Sequence, residues 1–301
     1  MGYWEERAEQ LVNKQIKADD KAAKKLAKEY ARVAAKLEKE VAAYYTKYSK
    51  DSVIEFRDML GVLSESERTL LYENLDAFAQ AFPQYAHLLP VRRSIYKLNR
   101  LEGLQLSAQL ELYRIGAIEE EVFKQHLTEA YERGYLYTLQ GLPNTQSQFV
   151  LNAFAAQQAL DKKWLDNNNF SDRIWGNKNK LLSTLRNEIR DGMIRGDTYN
   201  SMIKTIRYRT GVGAFDARRL IHTESAFISV QANAHAFQSV GIERYEICAV
   251  MDRKTSQICR SLDGTIFYFN EAAPGTNMPP FHAFCRTTIV PIENDAFVSR
   301  I

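Results

Sequence analysis

The stretch LAKEYARVAAKLEKEVAAY, Leu26 to Tyr44, decides how the amino-terminal half is read. Its residues Leu26, Tyr30, Val33, Leu37, Val41 and Tyr44 step by 4, 3, 4, 4 and 3 positions. At the helical rotation per residue, those steps keep all six side chains within one arc, as in a helix with one face in a core. Neither Gly nor Pro interrupts it. Working outward, the same spacing dominates residues 1–135, with Pro and Gly mainly at junctions. Ser64-x-x-Glu67 reads as a capping box ahead of Leu70, Leu71 and Leu75. Gly103 or Gly116 is expected to interrupt the helices after Pro90, giving four or five helices in this half.

Further along, Gly141-Leu142-Pro143-Asn144 and Asp166-Asn167-Asn168-Asn169 favour turns, because Asx side chains bond nearby backbone. A domain boundary is expected there, between a helical domain over 1–165 and a smaller domain over 166–301. Helical stretches follow at 178–192 and 198–207, then a break at Gly211-Val212-Gly213 and a long helix ending at Gly241, where glycine suits the left-handed C-cap. Tyr245–Met251, Thr265–Phe269 and Thr287–Val290 are β-prone runs separated by turn residues and by Pro274, Pro279 and Pro280. The expected fold class is α+β and mostly α, with a short β-sheet in the carboxy-terminal module.

Composition narrows the function classes. At 301 residues, 26% charged and 45% hydrophobic, the chain is an ordinary globular one, and 14 Gly with 7 Pro exclude collagen-like and low-complexity classes. Lys+Arg 40 against Asp+Glu 37 leaves +3, so attraction to nucleic acid has to come from a local patch. Met1-Gly2-Tyr3-Trp4-Glu5-Glu6-Arg7 lacks the basic and then apolar pattern of a secretory leader, and no spanning run appears, so no membrane partner is expected. Three cysteines are too few for a disulfide framework and suit a reducing compartment, with thiols free or metal-bound. No P-loop, dinucleotide fingerprint, Gly-x-Ser-x-Gly or His-Glu-x-x-His motif is present.

Two constellations remain. Lys14, Lys17, Lys21, Lys24, Lys28, Arg32, Lys36 and Lys39 fall within about 120° of the first helix, away from its apolar stripe. Such a row could track the phosphates of double-stranded DNA without reading sequence. The alternative is a solvated face, moderated by Asp19, Asp20, Glu29, Glu38 and Glu40. In the carboxy-terminal module, Cys259, His282 and Cys285 are soft and borderline ligands of the kind zinc prefers, with Asp252 and Cys248 as candidate fourth donors. The competing reading is plain burial, since free cysteine packs as a small hydrophobe.

Leu220-Ile221-His222-Thr223-Glu224, then Asp252-Arg253-Lys254-Thr255-Ser256 leading to Cys259, Leu262-Asp263-Gly264 with Phe267, and Pro274-Gly275-x-Asn277-x-Pro279-Pro280-Phe281-His282-x-x-Cys285-Arg286 together resemble the Mu F-like phage head morphogenesis proteins. The Tyr-Trp-Glu start and lysine-rich helix look like the Gram-positive phage branch. The resemblance implies a minor head or capsid protein, not an enzyme. It would act in head assembly within the virion, and in the host cytoplasm beforehand, beside the portal protein and other head proteins. Some relatives carry Cys where this chain has Ser256, so only Cys259, His282 and Cys285 carry over as structural zinc ligands. Glu224 is expected to pair with Arg253 or Arg286 as a brace, and His222 stands where an arginine is usual. The alternative function is a zinc-dependent hydrolase or nuclease at Cys259, His282 and Cys285, with Asp252, Asp263 or Glu224 as general base.

Overall fold

A computed structural model describes residues 2–142 and 153–292. The chain forms helices α1 (Tyr3–Tyr48), α2 (Phe56–Met59), α3 (Glu65–Ala81), α4 (Arg92–Ile95), α5 (Arg100–Leu139), α6 (Ala153–Asp161), α7 (Phe170–Arg195) and α8 (Tyr199–Ser239). Strand β1 (Arg244–Cys248), helix α9 (Gln257–Leu262) and strands β2 (Ile266–Tyr268) and β3 (Thr288–Ile292) follow. The fold is α+β and mostly α. The turn expected at Gly141-Leu142-Pro143-Asn144 passes outside the described residues at Pro143.

The chain divides into two compact units. One comprises Met1–Lys24, Val122–Arg173 and Arg218–Ile301, and the other Lys25–Glu121 and Ile174–Ala217. The boundary expected at residue 165 falls inside the first of these.

In the second unit, Leu26, Tyr30, Val33, Leu37 and Val41 are buried as their spacing requires, and Tyr44 is half-buried. Ser64 caps α3: its hydroxyl accepts from the Glu67 amide while the Glu67 carboxylate accepts from the Ser64 amide at 2.7 Å. Leu63, Leu71, Leu75, Ile95, Leu106 and Leu110 form one apolar cluster. The glycines do not act as expected. Gly103 and Gly116 lie inside the unbroken α5, where an added Cβ would stand 2.8 Å from Leu63 and 3.0 Å from Trp175 respectively. Gly211-Val212-Gly213 lies inside the unbroken α8, and a Cβ on Gly213 would stand 2.7 Å from the Tyr30 ring. Gly103, Gly116 and Gly213 are therefore close-approach positions, because only a missing side chain lets these neighbours touch the helix.

Glu40 is largely buried near Ser107, Lys36 and Glu111. Burial pushes its carboxyl up to about 7, against the opposing pull of the Ser107 hydroxyl and Lys36. Because the folded value lies above that of an unfolded glutamate, the contribution of Glu40 to stability is fullest below about pH 4.5 and is lost as pH rises toward 7. Glu40→Gln is expected to stabilise the protein by about 2–3 kcal/mol at pH 8 and by little at pH 4.5. Urea unfolding at the two pH values checks this, and equal shifts at both would contradict it.

In the first unit, Gly241 adopts φ +83° and closes α8, with the Ile242 amide donating back to Phe237 at 3.1 Å. The sheet is antiparallel in the order β2-β1-β3, with Tyr245 opposite Phe267 and Ile247 opposite Ile289. Tyr245 and Ile247 are fully buried. All three strands fall on runs expected from the sequence, within a few residues at each end.

Candidate functional site

The site is built on the loops that flank α9 and precede β3. Ser256 is the N-cap of α9, its hydroxyl accepting from the Cys259 amide at 3.3 Å. That cap sets Cys259 in the first turn, facing inward and buried with Ala249 and Cys285. On the other segment, buried Pro279 and Pro280 lead to His282, and the Cys285 amide donates to the His282 carbonyl at 3.2 Å. The three expected donors converge. Cys259 Sγ lies 3.7 Å from Cys285 Sγ and 3.1 Å from His282 Nε2.

His282 Nδ1 lies 2.8 Å from the Ala283 carbonyl. A carbonyl only accepts, so Nδ1 donates there, and Nε2 is the ring nitrogen turned toward Cys259 Sγ. The contact with the Cys285 thiol, helped by Ser256, Thr287 and His282, holds the Cys259 thiol down at about 4 despite burial. The Cys285 thiol is correspondingly pushed far up by that same contact and by burial. Thiolate is the ligating form of cysteine, and the lowered Cys259 thiol favours it. Two thiolates on tetrahedral zinc, with bonds of about 2.3 Å, stand about 3.8 Å apart, close to the separation found here. Cys259, His282 and Cys285 form a group that fits a metal ion.

Asp252 does not join them. Both its oxygens are taken by the Arg286 guanidinium at 2.6 and 2.5 Å, and it accepts from the Lys254 amide at 2.7 Å. The Arg286 contact, with that amide, holds the Asp252 carboxyl well below the usual range. Cys248 lies on β1 opposite Thr288 and outside the cluster, its thiol pushed up to about 12 by burial and by Asp263.

The expected brace is also rearranged. Glu224 pairs with neither Arg253 nor Arg286. It is bound by the Arg173 guanidinium and by Trp164 Nε1 at 3.0 Å. Burial raises the Glu224 carboxyl while these two donors oppose the rise. Arg286 braces Asp252 instead, tying the segment after Cys285 to the turn before Cys259. Arg253 is exposed. Trp164 and Arg173 were not legible beforehand, since their partner lies 60 and 51 positions away with no spacing signal.

A cavity of about 590 Å³ adjoins the donors, with Ser256, His282 and Cys285 in its lining. Asp19 and His222 line it too, and their polar atoms are mutually engaged. His222 Nδ1 is 3.3 Å from Asp19, its Nε2 is 3.3 Å from Asp20, and His126 Nε2 is 2.7 Å from Asp19. Burial pushes the Asp19 carboxyl up, but the hydrogen bonds from His126 and His222 outweigh it and hold the group low.

On α1, Lys14, Lys17, Lys21, Lys24, Lys28, Arg32 and Lys39 are exposed. Lys36 leaves the row: it is half-buried and paired with Glu111. The carboxylates expected to moderate the row are largely engaged elsewhere, Asp19 by His126 and His222, Asp20 by Arg218, and Glu38 by Arg207. Glu29 alone pairs within it, with Arg32.

Residues 183–290 match the family described as phage Mu protein F like protein. That stretch contains Asp252, Ser256, Cys259, His282, Cys285 and Arg286. No curated protein and no solved structure matches the chain. No described helix is long and apolar enough to cross a membrane.

Proposed function

We propose that the chain is a phage minor head protein of the Gram-positive branch, a structural and interaction component of head morphogenesis carried in the virion after assembly in the host cytoplasm. The observation that carries this reading is the match over 183–290, the stretch that also contains the whole thiol and imidazole cluster. In this reading Cys259, His282 and Cys285 hold structural zinc, which stiffens a docking module for the portal and other head proteins. When bound, the metal supplies a cross-link between the α9 turn and the β3 loop. The protein's own contribution is to hold the donors, through the Ser256 cap, the Nδ1–H of His282 and the Asp252–Arg286 pair. The portal association is tested by co-purification with the portal protein of the same phage; retention supports it, and absence from both portal complexes and purified particles counts against it.

Among the described residues, the three carboxylates offered as general base for the hydrolase alternative are each engaged. Asp252 is tied to Arg286, Glu224 to Arg173, and Asp263 accepts from the Ala249 amide at 2.8 Å.

The exposed lysines of α1 are assigned in the same reading to duplex DNA. Among the described residues, Lys17, Lys21, Lys24 and Lys28 have no carboxylate within ion-pair distance, so their charge is available to phosphates. Replacing these four by Glu is expected to lower duplex affinity at least tenfold and to flatten the slope of log K against log salt by about 3–4. Filter binding across salt concentrations reads both quantities. An unchanged slope would sink the assignment.

A further inference from the structure

The zinc reading leaves one corner of the centre without a strong donor. Three ligating atoms converge, and the Ser256 hydroxyl stands beside them, 2.8 Å from His282 Nε2. That oxygen is neutral and is already occupied in capping α9 through the Cys259 amide. A neutral hydroxyl is a weak ligand for zinc beside thiolate and imidazole. Closed zinc sites have four protein donors, whereas sites that bind further ligands keep a position open.

The surroundings of that corner are not sealed. Ser256, His282 and Cys285 line the 590 Å³ cavity, so the corner they share is reached from it. Cavities of this size suit small ligands. The charges around the space favour an anion. Its carboxylates are committed, Asp19 to His126 and His222 and Asp20 to Arg218 and His222. Lys254, also in the lining, is exposed and has no carboxylate partner among the described residues.

We propose that the fourth coordination position of the Cys259–His282–Cys285 centre opens to this cavity and takes a small anionic ligand, a carboxylate being the class that fits. This inference rests on the metal reading. It turns the centre from a sealed staple into a binding site whose fourth ligand comes from outside the centre, as from an acidic side chain of a docking protein.

Cobalt tests it on the full-length protein. Loaded with Co²⁺, the wild type should show sulfur-to-cobalt charge transfer, and its visible ligand-field bands should shift saturably with added acetate or azide. Lys254→Gln, which removes the exposed cation of the lining and touches none of the three donors, should keep the charge transfer and respond only at higher anion concentration. Ser256→Cys, which supplies a third thiolate, should bind Co²⁺ and lose the response to both anions. If charge transfer is present but neither anion moves the bands in the wild type, the open position is disproved while the metal reading stands. If charge transfer itself is absent, both fall together.

Discussion

With structural zinc held as proposed by Cys259, His282 and Cys285, a strong chelator added to the full-length protein is expected to unfold the segment from β1 to β3 while leaving the helices of the second unit intact. Structural zinc contributes its binding free energy to folding, about 10–16 kcal/mol in small zinc-finger peptides, and a loss here on the order of 5 kcal/mol or more follows. The reason is local. Among the described residues the sheet has three short strands, β2 has only 3 residues, and the connection from Phe269 to Thr287 carries little regular structure. Cys259 and Cys285 sit with Ala249 and Phe281 in a small apolar cluster that offers modest burial. Hydrogen exchange at Ile247 and Ile289, paired across β1 and β3, should accelerate on chelation and in Cys259→Ser and Cys285→Ser. Amides of α3 should stay unchanged. Equal protection in all four samples would show that the thiols are only packing groups.

The second large effect is expected in the other unit. Lys178 Nζ lies 2.7 Å from Glu119 Oε2, and the Tyr30 hydroxyl donates to the same oxygen at 3.0 Å. Lys178 also donates to the Tyr30 oxygen, and all three side chains are almost completely buried. Burial raises the Glu119 carboxyl, and the Lys178 ammonium is the main force opposing that rise. Lys178→Met removes the cation and leaves a buried acid without its partner, which should cost about 3–5 kcal/mol. The double variant Lys178→Met with Glu119→Gln should recover most of the loss, because a buried ion pair exchanged for neutral groups is often close to neutral in stability. Denaturant midpoints of the single and double variants decide it. A single variant within 1 kcal/mol of wild type would mean that the pair is not ionised.

The parts of this molecule that were legible in the sequence are those set by short-range periodicity and by residue chemistry. The apolar steps from Leu26 to Val41 place those side chains inward, the Ser64–Glu67 pair is a true capping box, and the three β-prone runs become the three strands. Cys259, His282 and Cys285 could be grouped because their donor types already belong together. The failures have one physical origin, partners remote in sequence. Gly213 looks like a helix break until Tyr30 and Leu181 are seen against it, and within its unit that absence of a side chain is a fit. Glu224 looks ready for Arg286, but Asp252 is nearer to hand for that arginine, and Arg173 serves Glu224. Lys178 and Glu119 carry no mark that separates them from solvated charges on a helix surface. Tyr30 was rightly placed in the apolar stripe, yet nothing in its spacing announced the buried acid its hydroxyl meets.

Elemental analysis of the purified full-length protein, paired with a count of reactive thiols, tests the central claim most directly. One zinc per chain is predicted, with Cys259 and Cys285 shielded from thiol reagents until a chelator removes it. A protein free of metal, in which both thiols react at the same rate with and without chelator, would contradict the account.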